Sequence, residues 1–131
     1  MEDVMIRISV LWIFFAVANA AHCVMLFFEP GLLQKILSEE ATSATKRLAI
    51  AEAFGSWLIP LTMAFLSVTL GDSANRNLDM VLGGLYALIE IIHIAGCPMV
   101  HISNKSSVHQ LLICISTVVV NALIFWYAWN W

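Results

Sequence analysis

The residues with the clearest chemical potential are a glutamate and a histidine three positions apart, Glu90 and His93, within a long apolar segment. Residues at this spacing share one face of a helix, so both side chains could reach one ligand. Carboxylate-bridged metal proteins use the same Glu-x-x-His spacing. His22 and Glu52 lie in two other apolar segments and could complete a set of two imidazoles and two carboxylates. That set suits zinc, iron or manganese.

The residue types leave the kind of ligand open. A second Glu-x-x-His motif is missing, because Asn19 occupies the acid position before His22. Haem is an alternative cofactor, with His22 and His93 as its axial ligands. A small hydrophobic molecule such as a quinone or an isoprenoid is another, with Glu90 and His93 as a proton pair and Tyr86 as a neighbouring donor. The predicted ligand-binding residues are Asn19, His22, Glu52, Tyr86, Glu90 and His93, and the predicted metal ligands are His22, Glu52, Glu90 and His93.

The same polar residues also have a purely structural interpretation. Hydrogen bonds between membrane helices contribute about 0.6–2 kcal/mol each, so Glu, His and Asn side chains can simply lock helices together. The chain is then a non-catalytic membrane subunit. A small oligomeric channel or transporter is a further alternative, because four short helices make a narrow pore only as an oligomer. Whether the protein is an enzyme stays open.

The elements that must position these residues follow from composition. The chain has 131 residues, of which 61% are hydrophobic and 11% charged, against roughly 45–50% and 25% in soluble domains. Mean hydropathy is +0.89, which excludes a soluble monomer and a disordered chain. The net charge is −3 and there is no basic run, so nucleic acid is not an expected partner. The three cysteines, Cys23, Cys97 and Cys114, are interpreted as small buried apolar residues.

Four apolar segments, at residues 4–28, 45–70, 78–100 and 108–131, predict one membrane domain with four spans. Each is long enough to cross a hydrocarbon core of about 30 Å. Lipid cannot form hydrogen bonds with the backbone, so the backbone groups must bond to one another, as they do in a helix. Residues 31–44 carry apolar side chains at helical spacing and predict a short amphipathic helix in the interface. The expected fold is therefore an all-α, up-down four-helix bundle with an interfacial helix between spans 1 and 2. Pro60 is expected to kink the second span.

Three of the ionisable residues share a predicted depth in the membrane. His22, Glu52 and His93 each lie six or seven residues from the same end of their segments. At 1.5 Å per residue, all three are roughly 10 Å inside one membrane face. Charged groups turned toward lipid are disfavoured, so these side chains are expected to point at one another.

The topology predicts a multi-pass protein of the cell membrane. An even number of spans places both termini on one face, together with Arg7 and Arg76. Because cytoplasmic loops carry an excess of basic residues, loops 1 and 3 are expected in the cytoplasm. A bundle this small has little interior of its own, so a homo-oligomer is expected. The basic residues in and next to loops 1 and 3 are Lys35, Lys46, Arg47 and Lys105.

Short stretches along most of the chain carry a family resemblance. They are residues 6–12 (IRISVLW), 30–32 (PGL), 59–63 (IPLTM), 66–67 (LS), 74–76 (ANR) and 126–129 (WYAW). In this order they resemble a family of small bacterial and archaeal membrane proteins of unknown function, akin to the DoxX-like group. The resemblance implies four membrane helices. Distantly related DoxX-like proteins are associated with membrane oxidoreductase systems, so the resemblance favours a redox or quinone-linked role. It implies no site residues, and the site predicted above is based only on the depth and spacing of its residues.

Overall fold

The computed structural model describes residues 2–26, 47, 50–51, 54–101 and 108–131, with side chains for all of these except 2, 26, 96–101 and 108–110. Its ordered elements are α1 (Glu2–Leu26), a π-helical turn (Phe54–Leu58), α2 (Ile59–Thr69), α3 (Asp72–His101) and α4 (Val108–Trp129). The all-helical class predicted from the sequence is confirmed for this part of the chain. The predicted interfacial helix at residues 31–44, the start of the second span and the third loop lie outside it.

Three of these helices are long and apolar enough to cross a membrane. The spanning segments are Asp3–Met25, Asp72–Ala95 and Leu111–Trp129, with 23, 24 and 19 residues. At 1.5 Å per residue they are about 28–36 Å long, close to the thickness of a hydrocarbon core. The second apolar helix, Phe54–Thr69, is shorter in the described part of the chain.

The helices pack so that α1 touches both α2 and α4, while α3 packs mainly against α4. Hydrogen bonds give the directions of α3 and α4, which run opposite to each other, because Arg76 donates to the Ala128 carbonyl and Glu90 accepts from Thr117. The apolar core fills one end of the molecule, where the first half of α1 meets the last turns of α4. It consists of Ile8, Trp12, Phe15, Met63, Ala64, Val120, Ile124 and Ala128.

The start of α3 differs from the sequence prediction. The sequence predicts a polar turn at residues 71–77 before the span at 78–100, but residues 72–77 are already helical. The acidic Asp72 lies in the first turn, where the helix dipole favours a negative charge. Buried Asn75 donates its Nδ2 to the Ser67 carbonyl at 2.7 Å, and Arg76 donates to the carbonyls of Ala128 (3.1 Å) and Trp129 (3.2 Å). These polar side chains have partners on neighbouring helices, and that packing overrides the local preference for a turn.

A glycine sets the distance between α3 and α4. A Cβ atom added to Gly83 would lie 2.9 Å from Ile124 Cγ2 and 3.1 Å from the backbone nitrogen of Phe125. The two backbones are therefore in direct contact at this point, as small residues allow in membrane helix pairs. Close packing of α3 on α4 also brings the second halves of α3 and α1 and the first half of α4 around a common space.

Candidate ligand-binding cavity

A cavity of about 430 Å³ lies between α1, the π-helical turn, the start of α2, α3 and α4, and it adjoins the apolar core at Phe15. Five of the six predicted ligand-binding residues line it, and the sixth, Glu52, lies outside the described residues. Much of the remaining wall is apolar, including Phe15, Leu82 and Ile113. The predicted residues in the wall are Asn19, His22, Tyr86, Glu90 and His93.

The two imidazoles lie side by side, as their predicted common depth requires. The ring centroids of His22 on α1 and His93 on α3 are 6.1 Å apart, with the rings nearly perpendicular. Cys114 on α4 completes a group in which one potential donor atom from each residue lies within 4.8 Å of the others. The sequence interpretation treated this thiol as a buried apolar group and did not include it among the metal ligands. Its signal was a stripe of polar residues at helical spacing on α4, formed by Gln110, Cys114, Thr117 and Asn121.

Glu90 stands beside this group, in contact with α4. The hydroxyl of Thr117 lies 3.2 Å from Glu90 Oε2 and 2.8 Å from the Cys114 carbonyl, so its single proton is shared between two acceptors. Of the four predicted metal ligands, the described structure brings His22 and His93 together and places Glu90 in the same wall. The closely spaced donor group contains Cys114 and does not include Glu90.

Tyr86 closes the cavity toward the apolar core. Its hydroxyl donates to the Gly55 carbonyl at 2.6 Å, in the π-helical turn. In π-helical geometry this carbonyl would accept from the N–H group five residues later, but that residue is Pro60, which has none. The phenol therefore supplies the missing donor. The sequence predicts a kink at Pro60; the structure has a π-helical turn just before this residue, and the Tyr86 phenol proton points at the backbone of that turn.

A second buried polar cluster, which the sequence prediction missed, lies in the half of the molecule that holds the apolar core. Asp79 on α3 is completely buried and accepts hydrogen bonds from Trp12 Nε1 (2.8 Å) and Ser67 Oγ (3.2 Å). It does not line the cavity. The available signal was the spacing of Asp79, Tyr86 and Glu90, which recur seven and four residues apart on one helix face.

The cavity combines a largely apolar wall with a few imidazole, carboxyl, thiol and amide groups. Such a wall can enclose an apolar molecule, while the polar side can donate, accept or exchange protons with its functional group. The histidines and the cysteine are also donors that transition metals prefer. No protein-family model, curated protein or solved structure matches the chain.

Proposed function

We propose that this chain is a multi-pass integral membrane protein of the cell membrane, folded as an up-down four-helix bundle. Its surface supports this: large apolar side chains are exposed, such as Ile92 (71%), Phe65 (66%) and Val17 (62%). Its interior holds completely buried polar residues, among them Asp79 and Asn121. Large apolar side chains on the surface, together with polar residues buried beside the apolar core, are the arrangement that lipid favours and that soluble proteins avoid. We retain the cytoplasmic placement of loops 1 and 3 as part of the proposal.

Within this bundle, we propose that the cavity binds a small hydrophobic ligand with a polar functional group. The observation that carries the proposal is the cavity itself, because its volume of about 430 Å³ falls in the range of about 300–1,000 Å³ typical of ligand sites. Its lining also has the usual composition of such sites, a largely apolar wall with a few convergent polar side chains. A quinone fits this pattern: its ring suits the apolar wall, and its oxygens suit His22, Glu90 and His93 as hydrogen-bonding or proton-transfer partners.

Thermal unfolding of the full chain in detergent, with a panel of short-chain quinones and isoprenoid alcohols, tests this proposal. A ligand at one hundred times its Kd stabilises the folded state by about 2.7 kcal/mol, which is readily measured as a rise in Tm. We expect Glu90→Gln and His93→Gln to remove that rise. Asp72→Asn, an exposed acid on the same helix outside the cavity, should keep it. The proposal is wrong if no ligand in the panel raises Tm, or if the cavity variants respond like the unchanged protein.

The structural alternative has its own support, because two of the cavity groups already bond to other helices. Tyr86 donates to the Gly55 carbonyl, and Glu90 accepts from Thr117 on α4. In a subunit whose polar residues only lock helices, Tyr86→Phe and Glu90→Gln lower Tm without ligand and nothing in the panel restores it. The same thermal unfolding experiments therefore distinguish the two functions, since only the ligand proposal predicts a rise in Tm with ligand that differs between the variants.

A further inference from the structure

We propose that His22, His93 and Cys114 hold a transition-metal ion of the zinc type in the wall of the cavity. Their three donor atoms lie within 4.8 Å of one another, and each comes from a different helix: α1, α3 and α4. This inference goes beyond the binding of a hydrophobic ligand. The two proposals share a cavity and two histidines, but they are decided by separate measurements.

The spacing of the donors fits a metal after small movements. Zinc binds imidazole nitrogen at about 2.0–2.1 Å and thiolate sulfur at about 2.3 Å, so donors in a tetrahedral site lie roughly 3.5 Å apart. Donors now within 4.8 Å reach that spacing by shifts on the order of 1 Å, which rotations of the side chains supply without moving the helices. Cys114 is buried and His93 is exposed, so the donor group has one enclosed ligand and one open side.

The chemistry of the donors selects the class of metal. Two imidazoles and one thiolate are borderline-soft ligands, which favour zinc and disfavour calcium and magnesium, whose ligands are oxygens. On binding, the Cys114 S–H bond is replaced by a metal–sulfur bond and the proton leaves to the buffer. The resulting set differs from the one expected from the sequence, because Cys114 takes the place of the two carboxylates.

Three protein ligands leave one position of a tetrahedral ion open, which is the pattern of zinc sites that bind a water or a substrate. All three ligands line the cavity, so a molecule in the cavity would lie next to the ion. Glu90 lies one helical turn before His93 in the same wall, where Thr117 Oγ1 donates to it. The metal would therefore face both the cavity contents and a carboxyl group able to hold a proton.

Metal loading of the full chain in detergent tests this inference. Protein stripped with a chelator is dialysed against Zn²⁺, or against Co²⁺ as a coloured substitute, and its metal content is measured by elemental analysis. We expect about one ion per chain and, with Co²⁺, the near-ultraviolet charge-transfer absorption that a thiolate ligand produces. Cys114→Ser should remove that absorption and weaken Zn²⁺ binding by roughly tenfold or more.

Cys23→Ser is the matched control, because Cys23 lies on α1 outside both the donor group and the cavity wall. It should keep the cobalt absorption and the metal content. His93→Gln, which alters an exposed residue, provides a second ligand variant that should weaken binding while the metal-free helical content stays unchanged. The inference is overturned if the unchanged protein retains no Zn²⁺, or if Cys114→Ser and Cys23→Ser behave alike. Quinone stabilisation of a protein that retains no Zn²⁺ would overturn the metal inference and leave the ligand proposal standing.

Discussion

The indole Nε1 of Trp12 lies 2.8 Å from Asp79 Oδ1, which joins α1 to α3 inside the molecule. The carboxyl group is completely buried and also accepts from Ser67 Oγ of α2. One side chain therefore connects three helices in the same half of the molecule as the apolar core. In a lipid environment such a group is costly to bury unless it is hydrogen-bonded, so the bonds from Trp12 and Ser67 stabilise the fold together with the apolar core.

Replacing Asp79 with leucine should lower the free energy of unfolding by about 1–3 kcal/mol, because the Trp12 N–H loses its acceptor, whereas the Ser67 hydroxyl keeps the Met63 carbonyl at 2.7 Å. Asp79→Asn should cost less, since its amide oxygen can still accept from Trp12. The measurement is thermal or denaturant unfolding in detergent, with the exposed Asp72→Leu as control. An Asp79→Leu variant that unfolds like its parent would show that this cluster does not hold the helices.

The bond between Tyr86 and Gly55 predicts an interaction with Pro60. Tyr86→Phe should destabilise the protein by about 1–3 kcal/mol, because it leaves the Gly55 carbonyl without a donor. Pro60→Ala restores a backbone N–H next to that carbonyl, so the same Tyr86→Phe change should cost less in the Pro60→Ala protein. A double-mutant cycle of unfolding free energies measures the difference, with a coupling expected in the range of about 0.5–3 kcal/mol. Strictly additive effects would contradict this explanation of the π-helical turn.

The contact at Gly83 predicts different outcomes for two neighbouring glycines. Gly83→Ala places a methyl group 3.1 Å from the Phe125 backbone nitrogen, which cannot move aside, so a loss of about 1–3 kcal/mol is expected. Gly84→Ala meets only the Phe125 ring, at 3.3 Å. A side chain can rotate, and alanine favours a helix, so stability should change little. Unfolding of both variants in the same detergent makes the comparison, and equal losses would mean that the α3–α4 backbones are not in contact.

Loss of the Arg76 hydrogen bonds is expected to loosen only the last turn of α4. Arg76 donates to the carbonyls of Ala128 and Trp129, in the last turn of the helix, where a positive charge is also favoured by the dipole. Arg76→Gln should therefore speed amide hydrogen exchange over the last turn of α4 and leave exchange around Cys114 unchanged. Hydrogen exchange read by mass spectrometry gives both values. Uniformly faster exchange would instead indicate global loss of stability.

The helices could be predicted from the sequence because each apolar segment is long, and length and composition alone favour a membrane helix. The paired positions of His22 and His93 could be predicted as well, since a helix rises by a fixed 1.5 Å per residue and depth can be counted along it. A residue count gives the depth of a side chain along its helix, but it does not give how that helix is rotated about its axis relative to its neighbours. The approach of Cys114 to the two histidines depends on that rotation and could not be derived.

Two errors have physical causes in tertiary structure. The polar residues 72–77 have the composition of a turn, but Asn75 and Arg76 find partners on the Ser67 carbonyl and the end of α4, which favours helix. Asp79 lies close to the end of the predicted span, where charged side chains commonly reach the interface. Only its bonds to Trp12 and Ser67 show that it turns inward.

Photoaffinity labelling tests the central claim, a ligand bound inside the cavity, most directly. The full chain in detergent is labelled with a photoreactive short-chain quinone, with and without excess unlabelled quinone, and the adducts are mapped by mass spectrometry. We predict adducts on cavity-wall residues such as Leu82 and Ile113 that excess quinone suppresses. Adducts confined to outward-facing residues such as Val81 and Ile92, unaffected by competitor, would contradict the claim.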